Sequence, residues 1–149
     1  MQSWIFRFAN IVGNRQRHGV IIDFIHKLRA NKKELEILGD GRQSKPYLHV
    51  SECVDGILFG YNHATEKVNI FNLGAESTTD VDTIAGIVIH EMKLDKVRLT
   101  YTGGDKGWKG DIPKYRFNID KIQSLGWQPK MTSDEAVIKS TREIITNLM

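Results

Sequence analysis

The sequence predicts an α/β chain, or α+β if it stands alone, and three observations carry that prediction. Short apolar runs of strand length alternate with amphipathic helical stretches along all 149 residues. Val81, Ile84, Ala85, Val88, Ile89 and Met92 keep a 3.6-residue period between two such runs, as a crossover helix on a sheet would. Trp4 to Ala9 is almost continuously apolar, the pattern of a strand covered on both faces.

That first strand opens the chain and needs neighbours, which is the expected signature of the second half of something larger. A polar loop with Gly13 follows it. Val20, Ile21, Phe24, Ile25 and Leu28 then recur at helical spacing. Leu35 to Leu38 is a short apolar strand, and Gly39-Asp40-Gly41 supplies a tight turn. Tyr47 to Val50 has strand composition, and Ser51 stands where a helix N-cap is expected. The helix behind it should bury Cys53, Val54, Ile57, Leu58 and Tyr61. Val68 to Leu73 is the next strand, and Thr79 or Asp80 caps the periodic helix. Val97 to Tyr101 alternates as a half-exposed strand. Gly103 to Pro113 is a glycine-rich loop, Asp120 to Leu125 a short helix, and Trp127 packs back on the core. Thr132 and Glu135 form a capping box for a last helix burying Val137, Ile144, Ile145 and Leu148.

Composition narrows the function classes. With 40% hydrophobic and 26% charged residues the chain reads as one globular domain. A net charge of +3, with no basic stripe interleaved with aromatics, argues against nucleic acid as partner. No apolar run approaches the ~20 residues of a membrane span. The single cysteine, Cys53, rules out an internal disulfide and suits a buried position on a helix and a cytoplasmic setting. His18, His26, His49, His63 and His90 have no paired metal-ligand spacing, so no metal is expected.

The chemistry concentrates between Ile37 and Ile57. Arg42 and Lys45 bracket Gln43-Ser44, and Pro46 closes the loop by removing a backbone donor. Two cations and free backbone N–H groups beside a helix start suit a phosphate. Gly104, Gly107 and Gly110 spell a second glycine motif, but Trp108, Lys109, Asp111 and Pro113 follow it rather than a helix. A dinucleotide turn must open directly into a helix N-terminus, so this one is not a cofactor fingerprint. No tyrosine has a lysine four residues on: Ser51, Thr65, Asp105 and Ile119 occupy those places.

Four ordered blocks resemble one family. GDGRQSKPYLHV is similar to its glycine turn, Arg-Asp-Tyr, strand and helix block, and FRFANIVGNRQ to its strand and Arg-x-x-Asn-x-x-Gly-x-Arg loop. VNIFNLGAESTTDVDTIA resembles its strand and Asn-x-Gly, and KGWKGDIPKYRFNIDKIQSLGWQPK its Gly-Asp-x-Pro and Leu-Gly-Trp-x-Pro signature. The chain is thereby identified as resembling the extended short-chain dehydrogenase/reductases, in the NAD-dependent epimerase/dehydratase family, with UDP-glucose 4-epimerase-like enzymes as the best subgroup.

The resemblance implies a C-terminal, sugar-nucleotide-binding half of a Rossmann-type epimerase, without the dinucleotide-binding half. Residues 1–149 would be one substrate domain, and strands 4–9 and 68–73 would join the missing sheet. It places Asn10, Val20, Glu36, Leu38, Arg42, Lys45, Lys106, Trp108 and Asp111 on the substrate, and Phe8 near the nicotinamide end of the cofactor. Asn10 would hydrogen-bond the sugar nucleotide, and Glu36 and Leu38 would frame the base. Lys45 replaces the family's diphosphate-binding arginine, keeping the charge but losing the planar fork. Pro46 replaces the family's aspartate, and Trp108 a frequent arginine.

The implied ligand is a UDP-sugar or another nucleoside-diphosphate sugar. NAD belongs to the full-length enzyme, and none is expected on this chain alone. The whole enzyme would be a homodimer, and the chain alone would be inactive and self-associate through its bare strands. The alternatives are a dehydratase or reductase half, or a non-catalytic module that binds an anionic ligand or a partner protein.

Overall fold

A computed structural model describes residues 1–105, 107, 110 and 112–148. Eight short strands and five helices pack around two apolar cores. The strands are β1 (Ser3–Phe8), β2 (Asn10–Val12), β3 (Glu34–Ile37), β4 (Ser44–Lys45), β5 (Tyr47–His49), β6 (Val68–Leu73), β7 (Thr79–Asp80) and β8 (Arg98–Tyr101). The helices are α1 (Val20–Ala30), α2 (Val50–His63), α3 (Val81–Glu91), α4 (Asp120–Gln123) and α5 (Ser133–Leu148).

The strands form pairs. β1 lies parallel to β6, β2 to β5 and β3 to β8, while β4 and β7 run antiparallel. Parallel partners far apart in sequence need crossover connections, and α1, α2 and α3 lie within them, in keeping with an α/β fold. The larger core gathers α1, β3, α3 and α5 around Ile21, Ile25, Leu28, Leu35, Ile84 and Val88. The smaller one joins β1, β6, α2 and α4 through Leu48, Phe71, Leu73, Ile122 and Trp127.

Several sequence expectations change in the structure. β1 is not covered on both faces: Ile5 and Phe8 are each 47% exposed. Trp4 and Phe6 turn toward Tyr61 and Gly60 of α2, whereas Ile5, on the other face, and Phe8, at the strand end, stay half exposed. The N-cap of α2 is His49 rather than Ser51. The imidazole Nδ1 accepts the Ser51 backbone N–H at 3.2 Å, and Nε2 lies 3.1 Å from Glu143 Oε2 on α5. The backbone had already turned helical at Val50, so the residue before it takes the cap position.

α2 buries only part of the expected face: Cys53 is buried and Ile57 packs on the smaller core, as expected. Glu52, Cys53, Gly56 and Gly60 point inward, while Val54, Leu58 and Tyr61 are exposed. A Cβ on Gly56 would meet Leu73 and Trp127 at 2.9 Å, and one on Gly60 would meet Phe6 at 3.0 Å. Close backbone approach therefore sets the inner face, which a count of large apolar residues misses. Leu148, expected inside, is exposed in the last turn of α5.

Other expectations hold. Asp80 accepts the Thr83 N–H at 2.7 Å and caps α3. Thr132 and Glu135 make the capping box in both directions, at 2.7 and 3.3 Å. Trp127 is buried, its Nε1 donating to Asp55. Cys53 is a buried free thiol whose pKa burial pushes up, which leaves it inert. No helix among the described residues is long and apolar enough to cross a membrane.

Candidate functional site

A cleft of about 1160 Å³ lies between the β2–α1 loop, the first turn of α1 and the β4–β5 segment. Four residues singled out in the sequence meet there: Asn10, Val20, Leu38 and Lys45. They come from four different elements, so only folding brings them together.

Each is placed by its local chain. Asn10 begins β2, whose parallel pairing with β5 sets it opposite Tyr47. Its Oδ1 accepts from the Tyr115 hydroxyl at 3.4 Å. Val20 opens α1 directly after Gly19, whose φ of 109° a side chain would strain. No side chain caps this helix, so its first-turn N–H groups face the cleft without an intrahelical partner. β3 alternates, with Leu35 and Ile37 fully buried, and Leu38 follows just past the strand end. Gly39 and Gly41, at φ 84° and 77°, then reverse the chain, and the Thr102 hydroxyl receives the Gly39 N–H.

Lys45 lies in β4, paired to Thr79 of β7. That strand pair is anchored below: Thr79 Oγ1 and Ser133 Oγ stand 2.6 Å apart, and Ser133 Oγ receives the Tyr47 N–H at 3.0 Å. The lysine therefore projects from a fixed backbone. Arg15 and Arg17 from the β2–α1 loop add two cations to the lining, with His18 and His26 beside them. Asp23, the acid in this lining, is paired to Lys27 at 3.1 Å. An uncapped helix start with three cations makes a site for an anion.

Other singled-out residues lie elsewhere. Glu36 points out of β3, with its side chain 58% exposed and its carbonyl accepting from Lys27 Nζ at 3.1 Å. Alternation explains this, since its strand neighbours fill the core. Arg42 is exposed, its N–H bonded to Asp40 Oδ1 in an Asx turn, and it is not in the cleft lining. Phe8 is half exposed at the end of β1, also outside that lining. Lys106, Trp108 and Asp111 lie outside the described residues.

Sequence reasoning missed Gln43, Arg15 and Arg17. The signal for Gln43 was present: it stands two residues before Lys45 in an extended segment, so both side chains face one way. The arginines sat in a loop whose contact with the site depends on the packing of α1. Among the described residues no cluster of His, Cys, Asp and Glu is placed to hold a metal.

Comparison with known proteins adds the following. Residues 1–74 match the model of the NAD dependent epimerase/dehydratase family. A putative UDP-glucose 4-epimerase of Methanocaldococcus jannaschii is 31% identical over 137 residues, 89% of this chain and 42% of that protein. A crystal structure of UDP-galactose 4-epimerase superposes with a TM-score of 0.83 at 34% identity, over 99% of this chain and 47% of its own. The UDP-glucose 4-epimerase of Thermotoga maritima, solved with UDP-glucose, gives a TM-score of 0.78 at 26% identity, covering 98% of this chain and 47% of that one. The chain thus spans less than half the length of the relatives it matches.

Proposed function

The chain belongs to the NAD-dependent epimerase/dehydratase family, and from that premise we propose that it is the nucleotide-sugar-binding half of a UDP-sugar 4-epimerase. The convergence of Asn10, Val20, Leu38 and Lys45 on one cationic cleft carries this reading. The diphosphate lies against Lys45 and the first turn of α1, and Asn10 hydrogen-bonds the sugar nucleotide. Leu38 packs on the base, with Glu36 and Arg42 at the margin. Lys106, Trp108 and Asp111 belong to the substrate site by the family resemblance alone.

The domain boundary follows the same reading. β1 and β6, paired only with each other among the described residues, extend the dinucleotide-binding sheet of the whole enzyme. NAD in that enzyme supplies the hydride carrier for oxidising and re-reducing the sugar carbinol. The missing half binds most of the cofactor, and this chain approaches its nicotinamide end with Phe8 at the end of β1. Its work is positioning, because binding energy from the nucleoside diphosphate holds the sugar while its reacting end turns. Dehydratases and reductases with the same sugar-nucleotide half would use the same cleft.

Alone, the chain turns over no UDP-galactose and pairs its uncovered β1 and α2 faces with a second copy. Calorimetric titration with UDP-glucose and UDP tests the site. Wild type should bind both, and Lys45→Ala should weaken each by on the order of tenfold or more, the worth of a hydrogen bond to a charged group. Equal binding by wild type and mutant would move the phosphate away from Lys45.

A further inference from the structure

Gln43 is 2% exposed, yet neither its Oε1 nor its Nε2 has a hydrogen-bond partner among the described residues. Its side chain lines the same cleft as Lys45. A buried amide left without partners costs about 1–3 kcal/mol, and a site that tolerates that cost has a reason for it. The backbone beside it is tied down: the Gln43 carbonyl receives the Val81 N–H at 3.1 Å, and the next N–H, of Ser44, donates to the Pro113 carbonyl at 2.8 Å. The residue is therefore anchored through its main chain, while both polar atoms of its amide are withdrawn from solvent and unpaired among the described residues.

We propose that Gln43 reads the nucleobase, pairing its amide with the adjacent donor and acceptor of a pyrimidine-dione edge. The proposal rests on the nucleotide-site reading above and goes further by assigning a base contact. Three observations favour a base over a sugar hydroxyl or the phosphates. Leu38, Val81 and Tyr47 line the cleft with Gln43, so the amide shares its wall with apolar and aromatic groups, as a flat heteroaromatic ring would require. Lys45 stands on the same side two residues on, about 7 Å along an extended chain, so one ligand can span base and phosphate. An amide also presents one donor and one acceptor side by side, which matches N3–H and a ring carbonyl of uracil or thymine.

Calorimetry on the 149-residue chain decides this with three probes: UDP, N3-methyl-UDP and inorganic pyrophosphate. Wild type should bind UDP about tenfold or more tighter than N3-methyl-UDP, because a site built to hydrogen-bond a group rejects the analogue lacking it. Gln43→Leu should lose that preference, bind pyrophosphate as wild type does, and melt at an equal or higher temperature. Equal UDP affinity in wild type and Gln43→Leu, with pyrophosphate still bound, overturns the Gln43 assignment and leaves the diphosphate site standing. Loss of UDP affinity in Gln43→Leu with no discrimination against N3-methyl-UDP by wild type also overturns it, placing the amide on the ribose. Failure of wild type to bind either UDP or pyrophosphate overturns the underlying site and this assignment with it.

Discussion

The two cores of this molecule are finished to different degrees. Around α1, β3, α3 and α5, Ile21, Ile25, Leu28, Leu35, Ile37, Ile84 and Val88 are fully buried, and only Tyr101 on the neighbouring β8 and Leu148 at the end of α5 stand out as exposed large apolar residues among the described ones. Around β1, β6 and α2, the inner side is equally tight, but Ile5, Phe8, Val54, Leu58, Tyr61 and Val68 stay 47–56% exposed. These large apolar side chains gather on two strands and one helix rather than scattering singly. One part of the fold buries most of its large apolar side chains, and the other leaves several of them in water. The cleft draws much of its lining from the first turn of α1, in the better-closed part.

The contrast can be broken most sharply by truncation in each region. Leu35→Ala should cost about 2–5 kcal/mol in urea denaturation, as large-to-small changes in a closed core do. Leu58→Ala should stay within about 0.5 kcal/mol in dilute monomer. Comparable losses at both sites would end the distinction. Glu52 ties the regions together, its Oε1 accepting the Lys130 and Met131 N–H groups at 2.6 and 3.1 Å. Glu52→Ala strands both donors and should cost about 1–3 kcal/mol by the same measurement. Thr132→Ala, which removes half of the α5 capping box, should cost about 1 kcal/mol.

The smallest expected effect depends on pH. The hydrogen bonds from Arg142 hold the Glu91 carboxyl below its ordinary value of 4.5, although burial opposes them, and join α3 to α5. A depressed carboxyl adds stability above the unfolded pKa and loses it as pH falls through the folded one. Denaturation midpoints measured from pH 6 down to pH 3 should therefore fall less steeply in Arg142→Ala than in wild type. Parallel curves would show that the pair is too well solvated to matter.

Much of the better-closed part was legible because its helices obey simple periods. Val81 to Met92 and Val20 to Leu28 carry their buried faces in the sequence, and Asp80, Thr132 and Glu135 announce the helix starts. The other part was misread for a physical reason. Hydrophobicity marks a tendency to leave water and not burial achieved, so Val54, Leu58 and Tyr61 read as core although this chain leaves them exposed. α2's true inner face is marked by Gly56 and Gly60, which carry no hydrophobic signal. In the cleft, Asn10, Val20, Leu38 and Lys45 followed from family resemblance and sequence position. Gln43 required burial and hydrogen-bond accounting, which only coordinates supply.

The glycine face of α2 also bears on the order in which the chain folds. Two glycines in one helix forfeit about 1 kcal/mol each of intrinsic helicity relative to alanine. A stretch so weakened does not persist by itself, and its stabilisers, Phe6, Leu73 and Trp127, lie far away along the sequence. α2 therefore solidifies late, after distant strands have closed long loops around it, whereas α3 and α5 can form from local contacts. Hydrogen exchange should find α2 opening first, making it the seam along which this fold comes apart.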